Sequence, residues 1–314
     1  MFPRRLIPWC LAAAGLLAGL IPVSAQEKKD DAAPLKFRIY GSLLPGYSKA
    51  DSIGSSQPML TFVGDKIGRR IECGVHDGTT PEDLLDFGKK LNGGEYHFAA
   101  VWGLEYGWLR EKYPLLRVLT VVYGNETKST SRTMLMVPRG GAAKKLADLK
   151  GKRLAVYRDM PLMDRLFLRE MLRAEKLDPK SFFARTEPYP SVRHAAAAVK
   201  EGKADCLLIS NTTHARLADL QPGLAAALTE LASGENYPMP AIIGVPEVVN
   251  QARKRKGLWE DLRDQLLDVH NSPEGKECVS FWRFEYFVKF DDNYQRKVDD
   301  LAAKYPAKVL LNLE

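Results

Sequence analysis

The chain has 314 residues, 45% of them hydrophobic and 27% charged, and a formal net charge of +7. That balance is ordinary globular material and excludes a biased or disordered chain. The positive excess is too dispersed for a nucleic-acid binder, but a mild one helps to gather an anion.

Residues 1–25 carry Arg4 and Arg5, an apolar stretch from Leu11 to Ile21, and Val23-Ser24-Ala25 before Gln26. A charged head, a short apolar core and small residues at a cut site predict a cleaved secretory signal peptide. The stretch is shorter than the roughly 20 residues that a membrane span takes. Residues 26–34 read as a flexible leader. Beyond the signal, Cys73, Cys206 and Cys278 remain. Cys206, inside an apolar run, reads as a small buried hydrophobe. A Cys73–Cys278 bridge is possible in an oxidising compartment, but spacing alone does not decide it.

Strand and helix patterns then alternate. Leu35 to Tyr40 reads as a strand, Pro58 to Ile67 as a helix with Leu60, Phe62, Val63 and Ile67 on one face, and Arg70 to Val75 as a second strand. Gly78-Thr79-Thr80-Pro81-Glu82-Asp83 combines hydroxyl caps, a first-turn proline and early acids, which predicts a helix start. Strands over Tyr96 to Val101 and Leu116 to Tyr123 flank a helix over Leu104 to Lys112. Arg132 to Val137 reads as a strand leaving the first lobe.

A second series follows: a strand at Leu154 to Tyr157, a helix at Met160 to Lys176, a short strand near Thr186, a helix at Ser191 to Lys200 and a strand at Cys206 to Ile209. Tyr237 to Val245 reads as a strand returning to the first lobe, with helices over Pro246 to His270 and from Pro273 onward. Two alternating series predict two α/β lobes with largely parallel sheets. Residues 35–134 and 238–314 form lobe I on this reading, and 135–237 lobe II. A ligand site is expected in the cleft between them.

Leu146-Ala147-Asp148-Leu149-Lys150-Gly151-Lys152-Arg153, then Ser191 with Ala195 to Val199, then Glu201-Gly202-Lys203-Ala204-Asp205, and the tail Ser272-Pro273-Glu274-Gly275-Lys276 with Phe287 and Tyr294, occur here in one order. The set resembles the periplasmic binding proteins of phosphate and phosphonate type over nearly the whole mature chain. The resemblance implies a two-lobed type II periplasmic-binding fold with a hinge of two crossing strands and a C-terminal helical segment. It also implies a small anionic ligand, phosphonate- or phosphate-like or a carboxylate, and an ABC-importer permease as partner. One turn departs from the family: Tyr157-Arg158-Asp159-Met160-Pro161-Leu162-Met163 stands where a Ser/Thr/Gly-rich turn commonly holds the oxyanion.

Candidate ligand residues sit at the predicted strand-to-helix turns. Ser42 and Tyr47 follow the first strand. Thr79 and Thr80 can cap a helix and also hold an anion. Trp102 and Tyr106 offer an aromatic wall, or serve as core. Arg158 can clasp an oxyanion or form a surface ion pair. Ser191 aligns with a ligand-side serine of the family, and Ser210 and Asn211 lead the donor cluster Ser210-Asn211-Thr212-Thr213. The basic run Arg253-Lys254-Arg255-Lys256 reads as a solvated helix face. No metal or cofactor motif occurs, and no recognisable nucleophile–base pair points to an enzyme. The expectation is a monomeric periplasmic binding protein that binds no nucleic acid. A periplasmic sensor or partner-binding protein on the same fold is the alternative.

Overall fold

The computed structural model describes residues 33–44, 47–78, 80–124, 130–158, 160–252 and 257–307. The signal segment 1–25, most of the leader, Thr79, Asp159 and the basic run 253–256 lie outside the described residues.

Chain order begins with β1 (Leu35–Tyr40), α1 (Lys49–Lys66), β2 (Ile71–His76), α2 (Pro81–Asn92), β3 (Phe98–Val101), α3 (Gly103–Lys112) and β4 (Arg117–Gly124). It continues through β5 (Thr130–Pro138), β6 (Arg153–Tyr157), α4 (Leu162–Ala174), β7 (Arg185–Tyr189), α5 (Val192–Lys200), β8 (Cys206–Ser210), α6 (Asn211–Leu220), α7 (Pro222–Ala225) and β9 (Leu228–Pro238). Last come β10 (Ala241–Gly244), α8 (Pro246–Gln251), α9 (Leu258–Asp268), α10 (Pro273–Trp282), β11 (Phe284–Val288) and α11 (Asp292–Lys304).

Two sheets result, in the orders β11-β4-β10-β3-β1-β2 and β7-β6-β8-β5-β9. Both are mixed rather than largely parallel. β1 runs parallel to β2 and β3, and β6 parallel to β7 and β8. The strands on which the chain changes sheet reverse the direction: β10 is antiparallel to β3 and β4, and β5 is antiparallel to β8 and β9.

β1 alternates buried and half-buried residues, so Leu35, Phe37 and Ile39 face one core. β8 is buried throughout, as a strand covered on both faces must be. One core packs α1, α9 and α10 under the first sheet, around Phe37, Met59, Leu60, Trp259 and Phe287. A second core fills the other lobe around β6, β8 and α5. The third lies on the opposite face of the first sheet and continues into α4.

Three differences from the sequence reading have physical causes. α1 starts nine residues before the predicted Pro58, because the Ser48 hydroxyl accepts the Asp51 N–H at 3.0 Å and caps a turn with no apolar period. β9 was invisible as a strand because Thr229 to Glu235 is mostly polar and contains a glycine; it is an edge strand paired only with β5. β11 interrupts the predicted C-terminal helix at Arg283, which takes a left-handed φ of 58° and turns the chain. Cys73, Cys206 and Cys278 are all buried and free, with no bridge between Cys73 and Cys278. Among the described residues no helix is long and apolar enough to cross a membrane.

The predicted start of α2 forms a reciprocal capping box: Thr80 Oγ1 accepts the Asp83 N–H at 3.2 Å, and Asp83 Oδ2 accepts the Thr80 N–H at 3.0 Å. Thr80→Ala is expected to destabilise the protein by about 1 kcal/mol, the usual loss for an N-cap hydroxyl. The midpoint of urea unfolding at unchanged slope measures it.

Candidate functional site

The C-terminal ends of β1, β2 and β3 face those of β6 and β8, and the space between the lobes divides into three parts. The first is filled. Leu162 and Met163, from the first turn of α4, and Phe167 are buried in one cluster with Tyr237 of their own lobe and with Tyr40, Leu84 and Trp102 of the other. Phe167 stacks on Tyr237 with ring centroids 5.2 Å apart, and Trp102 meets the same tyrosine edge-on at 5.7 Å. The turn that departs from the family pattern therefore supplies an apolar plug.

Two acids border this seam. Asp164 accepts the Thr133 hydroxyl at 2.5 Å and the Tyr237 hydroxyl at 3.4 Å. Glu105 accepts the Trp102 N–H at 3.1 Å. Burial pushes both carboxyls up to about 7, with those hydrogen bonds and the Ser42 hydroxyl beside Glu105 pulling the other way.

The second part is an outer pocket lined by Gly41, Leu44, Tyr47, Lys49, Asp77, Gly78, Asp83 and Arg158. Gly78 has φ of 139°, and a Cβ there would lie 2.2 Å from that of Asp83, so only glycine lets the chain pass. Two cations and two acids balance here, and Lys49 is paired with Asp77. Arg158 is exposed at this mouth.

The third part is an inner cavity of about 170 Å³ between the first sheet, α1, α10 and β11 on one side and α6 of the other lobe on the other. Phe37, Ile39, Met59, Ala100, Ile242 and Phe287 make its apolar walls, and no Asp or Glu among the described residues lines it. Its polar end is the half-buried Arg216. The guanidinium lies over the Tyr47 ring, and its buried Nε and Nη1 have no hydrogen-bond partner among the described residues. Burial first, and the charge of Arg283 second, pull Arg216 down to about 9, which leaves it cationic at neutral pH. Arg283 itself is paired with Asp219 and donates to the Ala215 carbonyl at 3.4 Å.

The ten candidates of the sequence reading separate accordingly. Tyr47, Trp102 and Asn211 line the inner cavity, and Tyr47 and Arg158 line the outer pocket. Tyr47 donates to the Phe281 carbonyl at 2.8 Å, and Trp102 Nε1 to the Ser42 carbonyl at 3.1 Å. Asn211 Oδ1 accepts the Ser131 hydroxyl at 2.8 Å and the Arg132 N–H at 3.0 Å, which ties α6 to β5. Ser42 and Ser210 are buried beside these walls; Ser210 Oγ accepts the Thr213 N–H at 3.1 Å as the cap of α6. Thr80 is the α2 cap described above, and Thr79 lies outside the described residues. Tyr106 and Ser191 line neither pocket: the Tyr106 hydroxyl donates to Gln295 of α11 at 3.4 Å, and the Ser191 hydroxyl meets His194 Nδ1 at 2.8 Å beside β7, an edge strand. Arg216 was missed. The signal was present, since Arg216 lies four residues after Thr212 on one helical face.

Two α/β lobes, strands crossing between them and a cavity ending in a cation define a solute-binding clamp. Solved structures agree on the fold. PhnD1 from Prochlorococcus marinus, in complex with methylphosphonate, matches with a TM-score of 0.66 at 12% identity, over 87% of this chain and 98% of its own. XAC2383 from Xanthomonas citri, bound to chloride ion, matches with a TM-score of 0.65 at 16% identity, over 89% and 98%. No curated protein sequence matches the chain. Over residues 42–294 the chain matches the ABC-transporter, phosphonate, periplasmic substrate-binding protein family, and it belongs to that family. The protein is a solute-binding protein for a small anionic ligand and not an enzyme.

A pH dependence follows from the seam. Folded Glu105 and Asp164 hold protons that the unfolded chain releases above about pH 4, so their contribution is complete below that and is lost as pH rises through about 7. The melting temperature of Glu105→Gln/Asp164→Asn is expected to fall less than that of the parent between about pH 5 and about pH 8. Melting curves at both pH values, read as the difference between the two proteins, check it.

Proposed function

We propose that the anion is held in the inner cavity, headed by Arg216, between lobe I (35–134 and 238–314) and lobe II (135–237). The observation that carries this reading is a half-buried guanidinium whose buried Nε and Nη1 have no partner among the described residues, in a cavity lined by no acid among them. An unpaired buried donor costs about 1–3 kcal/mol, more when charged, and an anion accepting from it removes that cost. The seam supports the same reading by exclusion, since the apolar side chains of Leu162, Met163 and Phe167 fill it.

Arg158, at the outer pocket, serves in this reading to gather the ligand rather than to hold it. Lobe II closes, in this reading, about the two strands that join the lobes, Arg132 to Val137 in β5 and Tyr237 to Val245 across the end of β9 and β10. Asn211, bonded to β5, carries that motion to α6. Residues 1–25 act as a cleaved signal, and the mature protein works in the periplasm as a monomer that binds no nucleic acid and hands its ligand to an importer permease.

A thermal-shift screen against phosphate, phosphonates, sulfonates and carboxylates tests the reading. At least one anion is expected to raise the melting temperature, because a ligand bound only by the folded form stabilises it by mass action. Arg216→Ala is expected to remove that shift, whereas Arg158→Ala keeps most of it. A shift that survives Arg216→Ala and is lost in Arg158→Ala moves the site to the outer pocket.

A further inference from the structure

The polar groups around the inner cavity are almost all engaged with the protein. Tyr47 and Trp102 donate to backbone carbonyls, and Ser56 Oγ accepts Trp282 Nε1 at 2.8 Å. Asn211 Oδ1 holds β5. Thr212 Oγ1 and Thr213 Oγ1 lie 3.0 and 2.8 Å from Ser210 Oγ. Arg283 is neutralised by Asp219. What remains for a ligand among the described residues is a single unpaired charge, Arg216, with the Asn211 amide and the two threonine hydroxyls near it on α6, at one end of a chamber walled by aliphatic and aromatic side chains.

That arrangement selects on two counts. A phosphonate dianion would bury its second charge against apolar walls without a cation to pair it. A hydroxylated or amino-bearing body would likewise lose its hydrogen bonds to water and gain none. A single negative charge followed by an apolar body satisfies both ends. The size is set by the cavity: about 170 Å³ is close to the roughly 150 Å³ apolar cavity known to take up benzene in another protein.

We infer that the ligand class of this site is an organic monoanion, a sulfonate or carboxylate, bearing one apolar group of about the size of a six-membered ring. This rests on the Arg216 site proposed above.

Intrinsic tryptophan fluorescence gives the readout, because Trp102 and Trp282 both line the cavity. The purified protein is titrated with benzenesulfonate, methanesulfonate and methylphosphonate. Benzenesulfonate is expected to bind roughly thirty-fold or more tighter than methanesulfonate, as burial of a ring implies, and tighter than methylphosphonate. Ala100→Leu, which grows a wall residue into the chamber, is expected to bring the benzenesulfonate affinity down towards that of methanesulfonate, with circular dichroism reporting the fold.

If the three probes bind alike, or methylphosphonate binds best, and Arg216→Ala weakens them all, the ligand class is overturned while the site stands. If Arg216→Ala leaves every affinity unchanged, the site itself falls. Arg216→Lys, which keeps the charge, serves in place of the alanine variant should that one not fold; reduced but measurable binding is expected of it.

Discussion

Leu162, Met163 and Phe167 reach from one lobe into the aromatic core of the other, and their burial decides where a charge can be held. Each such side chain contributes about 1.5–3 kcal/mol when removed from water. A hydroxyl-rich turn in their place would leave donors facing the cleft. Here the same backbone position delivers a thioether and a branched alkyl group, and the carboxyl of Asp164 beside them turns to Thr133 and Tyr237. The seam is therefore apolar and bordered by two protonatable acids.

Trp102 divides this seam from the inner cavity. Its ring leans on Tyr237 on one side and lines the chamber on the other, while its indole N–H is fixed on Ser42. One residue thus couples the packing of the plug to the shape of the inner cavity. The opposite wall belongs to α6, whose first residue is bonded to β5 and whose second turn carries Arg216. Any movement of α6 relative to the first sheet moves the cation across the chamber.

The two charged regions differ in kind. At the outer pocket Lys49 and Arg158 stand among Asp77 and Asp83 in contact with solvent, where ion pairs are screened and weak. Inside, no acid among the described residues lines the cavity beside Arg216, and its largely apolar surroundings screen the charge less than solvent does. Arg283 stands close by but is engaged with Asp219. Its left-handed backbone, unusual for a residue with a side chain, sends it from the end of α10 across to Asp219 on α6.

Much of this was legible in the residues alone. Local periodicity specified β1, β2, β3, β4, β6, β8 and α5, because each is set by neighbours in sequence, and the Thr80-Pro81-Asp83 signal specified the start of α2. The order of motifs specified the two-lobed family fold, and Tyr47, Trp102 and Asn211 were singled out by their place at strand ends. The departure at Met160 to Met163 was also visible, though not what it does. Only the tertiary structure decided that these side chains plug the seam and that Tyr106 turns to α11 and Ser191 to an edge. It alone brings Arg216 over Tyr47, 169 positions apart in the chain. Periodicity reports which face of a helix is apolar; which neighbour that face meets depends on contacts far apart in sequence, and a buried cation is recognisable only once its surroundings are assembled.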